Sequence, residues 1–127
     1  MAQHNELGAW GEQLAAEFLI TKGYTIIDRN WRLNRLEVDI VATIGDHVVF
    51  VEVKTRSTDF VDPRLAINRK RMMHLVNAAD AYVRMYNMPH GVQFDVIIII
   101  GVPGGVPPTI EHIPDAFLPP RTSHRHR

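Results

Sequence analysis

Asp39, Glu52 and Lys54 are the side chains of this 127-residue chain whose types and spacing best suit chemistry. Two carboxylates beside an ammonium group make a donor set for a hard divalent cation, since Mg²⁺ is typically held by one or two carboxylates plus phosphate and water oxygens. Their meeting rests on one hairpin. Leu36 to Ile44 and His47 to Thr55 are rich in β-branched residues and read as strands, and Gly45-Asp46 between them suits a two-residue type II′ turn. That turn sets Asp39 opposite Glu52 and Glu37 opposite Lys54, so that four charged groups gather on one face of two adjacent strands. A slip of one residue would send the two carboxylates to opposite faces.

Like charges directly opposite each other destabilise a sheet by up to roughly 1 kcal/mol, so the Asp39–Glu52 pair needs a compensating cation. Lys54 supplies part of it and a bound metal would supply more. The residues alone leave a plainer reading open, a solvated hairpin face with cross-strand ion pairs. Against it, Val49, Val51 and Val53 alternate with Val48 and Phe50, so the second strand is apolar on both faces until its end. Glu52 and Lys54 are then expected beside a core, where charges need partners.

Glu12 sits at the edge of the apolar stripe of a first helix, and Gly8 and Gly11 beside it lack side-chain bulk that would hold the helix off a sheet. Two interior glycines cost a helix roughly 1 kcal/mol each relative to alanine, a cost that close packing has to offset. Basic residues form two clusters. Arg29, Arg32 and Arg35 surround Trp31, and Arg69-Lys70-Arg71 opens a second helix. Cations in a first helical turn oppose the macrodipole, while free N–H groups there favour a phosphate. Gly101-Val102-Pro103-Gly104-Gly105 lacks the Lys-Ser/Thr ending of a phosphate loop and reads as a turn. His74 reads as structural.

The elements that must position these groups follow from periodicity. Asn5 suits the cap of a helix from Glu6 to about Lys22, stopped by Gly23. Tyr24 to Asp28 is a short strand. Asn68 suits the cap of a helix to about Tyr86, whose stripe is Met72, Leu75, Val76, Ala79, Tyr82, Val83 and Tyr86. Phe94 to Ile100, without polar alternates in its Ile run, is a strand covered on both faces, and Thr109 to Ile113 is an edge strand. The order predicts an α/β fold, a single domain over 1–118 with a mixed sheet flanked by helices, and a flexible basic tail over 119–127.

Fourteen Lys and Arg balance fourteen Asp and Glu, which excludes a globally basic nucleic-acid binder and leaves a local patch. No cysteine is present, which excludes disulfides, thiolate metal sites and a cysteine nucleophile. The longest apolar run, Val96 to Val102, is far short of the roughly 18 residues of a membrane span, and Met1 to Glu6, without a basic stretch followed by an apolar run, leads to the expectation of no secretory signal. A cytoplasmic protein with no membrane partner is expected.

Asp39, twelve residues, then Glu52-Val53-Lys54 resembles the PD-(D/E)xK nuclease superfamily, whose fold is restriction-endonuclease-like. Gly11-Glu12 with Ala15 and Leu19, Gly23-Tyr24, Arg29-Asn30-Trp31-Arg32, Glu37 to Ala42, Val49 to Arg56, Lys70, Ala79, Tyr82 and Phe94-Asp95-Val96 resemble, more narrowly, the YraN-like family of small bacterial predicted endonucleases. That family is similar to archaeal Holliday-junction resolvases. Leu36 stands where the family usually has Gly. The resemblance implies Asp39 and Glu52 as ligands of Mg²⁺ or Mn²⁺, Glu12 as an accessory ligand, and Lys54 as the group that orients or activates the attacking water. The expected activity is metal-dependent endonucleolytic cleavage of DNA, branched or single-stranded forms included. Arg32, Arg35, Arg56, Arg69, Lys70 and Arg71 are expected to hold flanking phosphates. A non-catalytic nucleic-acid-binding module of the same fold is the alternative, and a charged hairpin that binds a protein is a third reading. One chain carries one such centre while cutting two strands needs two, which leads to the expectation of a twofold homodimer.

Overall fold

The computed structural model describes residues 2–60, 62, 64 and 67–117, with the backbone alone for 2–5. The expected tail over 119–127 lies outside the described residues. In chain order the elements are α1 (Ala2–Thr21), β1 (Thr25–Leu33), β2 (Leu36–Ile44), β3 (His47–Arg56), α2 (Arg69–Tyr86), β4 (Gly91–Ile100) and β5 (Thr109–Ile113). The strands form one sheet in the order β1-β2-β3-β4-β5, antiparallel except for the parallel β3–β4 pair that α2 bridges. This is the expected restriction-endonuclease-like mixed sheet.

Each helix covers one face. Beneath α1, Ala15, Ala16 and Leu19 pack on Ile40, Ala42, Val49, Val51, Ile97 and Ile99. Beneath α2, Leu75, Ala78, Ala79 and Tyr82 pack on Trp31, Val38, Val41, Val48, Phe50 and Phe94. Leu36 joins the edge of this second layer. β3 and β4, third and fourth of five strands, are buried on both faces, as their unbroken Val and Ile runs require.

Local signals account for most of the boundaries. Gly23, at φ +95°, closes α1: its N–H donates to Ile20 and that of Tyr24 to Leu19, the paired bonds of a left-handed helix stop. Asn68 caps α2, its side chain accepting from the Arg71 N–H at 2.9 Å. Gly45 has φ +57° and Asp46 no positive φ, as a type II′ turn requires.

Two expected boundaries are corrected. The α1 helix begins at Ala2, so Asn5 lies within it and is not its cap. β1 runs on to Leu33, so the Arg29–Arg35 cluster is the second half of an edge strand and its turn. Asn30 and Asn34 make that possible by adopting φ of 52° and 57°, which asparagine tolerates better than most residues. The first stands where the ladder has no Asn30–Asp39 pair, the second allows the Asn34-Arg35 turn into β2, and the register shift of this pair falls earlier, between Ile26 and Asp28.

Candidate functional site

The site lies where β2 and β3 part. Their pairing follows the expected register from Ile44↔His47 to Ile40↔Val51 and stops there. At the next position the Asp39 carboxylate accepts the Val53 backbone N–H at 2.8 Å, a side chain taking a donor that the ladder leaves open. On the other side of β2, the β1 register skips the Asn30/Asp39 position. The phase of β2 changes at the same place. Val38 packs in the α2 layer and Ile40 in the α1 layer, although strict alternation would put both on one face. Asp39 thus projects into the opening between two strands.

Glu52 and Lys54 keep one face of β3. Their charged groups lie 3.9 Å apart, and Glu52 is 6% exposed. Neither expected opposition, Asp39 with Glu52 or Glu37 with Lys54, is part of the ladder. The β2–β3 ladder ends before it reaches them, and Glu37 instead pairs with Arg32 across β1 at 3.6 Å. The four charges therefore do not share one face.

Glu12 is brought in by α1. A Cβ on Gly11 would stand 2.0 Å from Thr55 Oγ1 and 2.9 Å from Thr55 Cβ, so only glycine lets this turn of the helix rest against the end of β3. Gly8 meets nothing within 4 Å and has no such role. Burial pushes the Glu12 carboxyl above the usual range. The neighbouring Asn30 side chain, the Arg29 charge and the Asp39 side chain work the other way. Burial, then the charge of Glu52 and those of Glu12 and Glu37, push Asp39 up to about 7, against the pull of the Val53 N–H. Asp39 thus lies in the fields of Glu52, Glu12 and Glu37, while the Arg29 charge offsets part of that on Glu12.

Arg71 supplies the counter-charge at Glu52. Its Nε donates to Oε2 at 3.2 Å and its Nη2 to Oε1 at 3.1 Å and Oε2 at 2.9 Å. Among the described residues no three carboxylate or imidazole groups are arranged to hold a metal ion as they stand. Arg69 and Lys70, in the same turn of α2, are exposed, as are Arg35 at the β1–β2 turn and Arg56 at the end of β3. Arg32 is exposed and tied to Glu37.

Sequence reasoning missed three features. Asn30 and Arg29 flank Glu12, and the only local signal was asparagine in a strand-like stretch. Glu52 and Arg71 are 19 positions apart and meet through the α2 crossover. A separate buried network surrounds Asp95, which accepts from Tyr24 at 2.8 Å, Gln93 at 2.9 Å and the Asp115 N–H at 2.9 Å and bonds His112 at 2.8 Å. A cavity of about 330 Å³ over β4 and β5 is also acidic, with Arg64 reaching Glu111 at 3.1 Å, and involves none of the acids at the β2–β3 opening.

Residues 11–99 match the profile of a family described as uncharacterised protein family UPF0102. The chain is similar to a UPF0102 protein of Bacteroides thetaiotaomicron, 46% identical over 121 residues that cover 94% of this chain and 98% of that protein. It is also similar to UPF0102 proteins of Phocaeicola vulgatus, at 44% identity over 121 residues covering 94% and 98%, and of Christiangramia forsetii, at 45% over 119 residues covering 93% and 98%.

Proposed function

The chain belongs to the UPF0102 family, the YraN-like family that its motifs resemble, and from that membership and the site's geometry we propose that it is a metal-dependent endonuclease acting on DNA. One observation carries the reading: at the β2–β3 opening the buried Asp39 carboxylate lies in the fields of Glu52, Glu12 and Glu37, with the Lys54 ammonium 3.9 Å from Glu52.

The donor set fits a hard divalent ion. Asp39, raised to about 7 by burial and by its acidic neighbours, is a carboxylate whose charge a cation would relieve. Asp39, Glu52 and the Val53 carbonyl would hold Mg²⁺ or Mn²⁺, with Glu12 contributing directly or through water. Such an ion supplies Lewis acidity, lowering the pKa of water and neutralising charge that develops on phosphate. Lys54 positions the attacking water with its ammonium group, fixed from one side by Glu52. Arg69 and Lys70 at the start of α2, with Arg35, Arg56 and Arg32, hold flanking phosphates, giving affinity without sequence preference.

In purified protein, Glu52→Gln and Lys54→Ala should each reduce Mg²⁺- or Mn²⁺-dependent cleavage by at least about 100-fold while gel-shift retention of DNA survives. Cleavage that persists in both variants overturns the assignment. The bidentate cover of Glu52 by Arg71 favours a second reading, a nucleic-acid-binding module without catalysis. That reading predicts binding with no metal-stimulated cleavage of duplex, single-stranded or junction substrates.

A further inference from the structure

Both oxygens of Glu52 are already engaged. The Arg71 fork contacts them through three hydrogen bonds of 2.9 to 3.2 Å, whereas Lys54 stands 3.9 Å away. Three of the roughly four lone-pair sites of this carboxylate are taken, and the guanidinium charge repels a metal ion at the same two oxygens, so the two cations compete for it. Arg71 is also placed to move. Its backbone N–H is fixed by the Asn68 cap at 2.9 Å, and its side chain, 34% exposed, extends from that anchor.

We propose that Arg71 is a positioning residue that exchanges partners, yielding Glu52 to the divalent cation and taking a phosphate of the bound nucleic acid. This rests on the metal-dependent reading above and deepens it. Two further observations support the exchange. Carboxylate and phosphate present nearly the same pair of acceptor oxygens to a planar guanidinium, so the fork loses no geometry in changing partners. The first turn of α2 contains Arg69, Lys70 and Arg71 and no acid, an arrangement the helix dipole opposes unless an anion is brought to it. Among the described residues Arg69 and Lys70 make no ion pair. With Glu52 given up, Arg71 becomes the third cation facing that anion.

Metal and phosphate then both favour the released side chain, and each must strengthen the other's binding by the same factor. A fixed structural ion pair would give no such link, and removing its arginine would weaken the site for every ligand.

The test is Mn²⁺ titration into the full chain at pH 8, by calorimetry and electron paramagnetic resonance, for the wild type, Arg71→Gln, Arg71→Lys and Glu52→Gln. The expected result is tighter Mn²⁺ binding by Arg71→Gln without DNA, by about tenfold, and weaker oligonucleotide binding in Ca²⁺. Arg71→Lys, which keeps a charge beside Glu52 and serves if the glutamine variant does not fold, should fall between. Mn²⁺ affinity unchanged or lowered in both Arg71 variants, while Glu52→Gln abolishes it, overturns the exchange and leaves the metal reading standing. Absence of any wild-type Mn²⁺ binding that Glu52→Gln removes overturns both.

Discussion

Asp39 costs the fold stability when it is ionised. A carboxyl whose folded value is about 7 and whose ordinary value is 3.8 binds more protons in the native than in the unfolded chain between those limits. Stability therefore falls as pH rises through that window, and the cost of the ionised group is fully present above it. Asp39→Asn keeps an oxygen for the Val53 N–H and removes the charge. At pH 8 it should stabilise the metal-free protein by on the order of 1 kcal/mol, allowing for partial solvent exposure, and at pH 4 it should change little. Thermal unfolding at the two pH values checks this, and an equal effect at both would contradict it. The same variant should lose Mn²⁺ binding. In the wild type that binding should tighten from pH 6 to pH 8, because the ion must displace the proton.

At the scale of elements, the site depends on a helix approaching closely and on a strand that breaks its own alternation. Gly11→Ala would gain about 1 kcal/mol of helix propensity, yet its methyl would meet Thr55 Oγ1 at 2.0 Å. The expected outcome is a net loss of about 1–3 kcal/mol, partly recovered by Thr55→Ala, which removes the two nearest atoms. Denaturant midpoints of the single and double variants measure it, and additive losses would contradict it. The hairpin itself was legible. Its strands, its turn and the register as far as Ile40↔Val51 follow from β-branched runs and Gly45-Asp46. The closeness of Gly11 was legible too, as an unexplained glycine in a helix. The shift at Asp39 was not, because period-two reasoning continues a strand until something stops it. Where it stops, Asn30 in the neighbouring strand has a positive φ and the Asp39 side chain takes the Val53 N–H. The second half of β1 escaped because its apolar alternation is only Trp31 and Leu33, too short a run to stand out among Arg29, Asn30 and Arg32.

For the whole molecule, the Asp95 network ties β4 to the start of β1, to β5 and to the turn beyond it. Burial alone would raise the Asp95 carboxyl. Bonds from His112, Gln93, the Asp115 N–H and Tyr24 outweigh that and hold it below the usual range. Its ionised form therefore adds stability above the ordinary carboxylate value, lost as pH falls through the lowered one. Tyr24→Phe should cost about 1–3 kcal/mol at neutral pH and move acid unfolding to higher pH, with Mn²⁺ affinity unchanged. Circular dichroism against pH checks the first two, and an unmoved acid transition would contradict them. This network could not be read from local pattern, because Tyr24 and Asp95 are 71 positions apart. That distance sets an order of assembly. The β2–β3 ribbon closes a two-residue turn, whereas the parallel β3–β4 pair must wait for the crossover and the tyrosine bond for almost the entire chain. Loop-closure entropy delays the long contacts, so amides of the ribbon should gain protection first in pulse-labelled hydrogen exchange during refolding. Nascent chains would then bring two acids together before their guanidinium partner arrives, and on the metal-binding reading proposed above millimolar Mg²⁺ should speed that early phase.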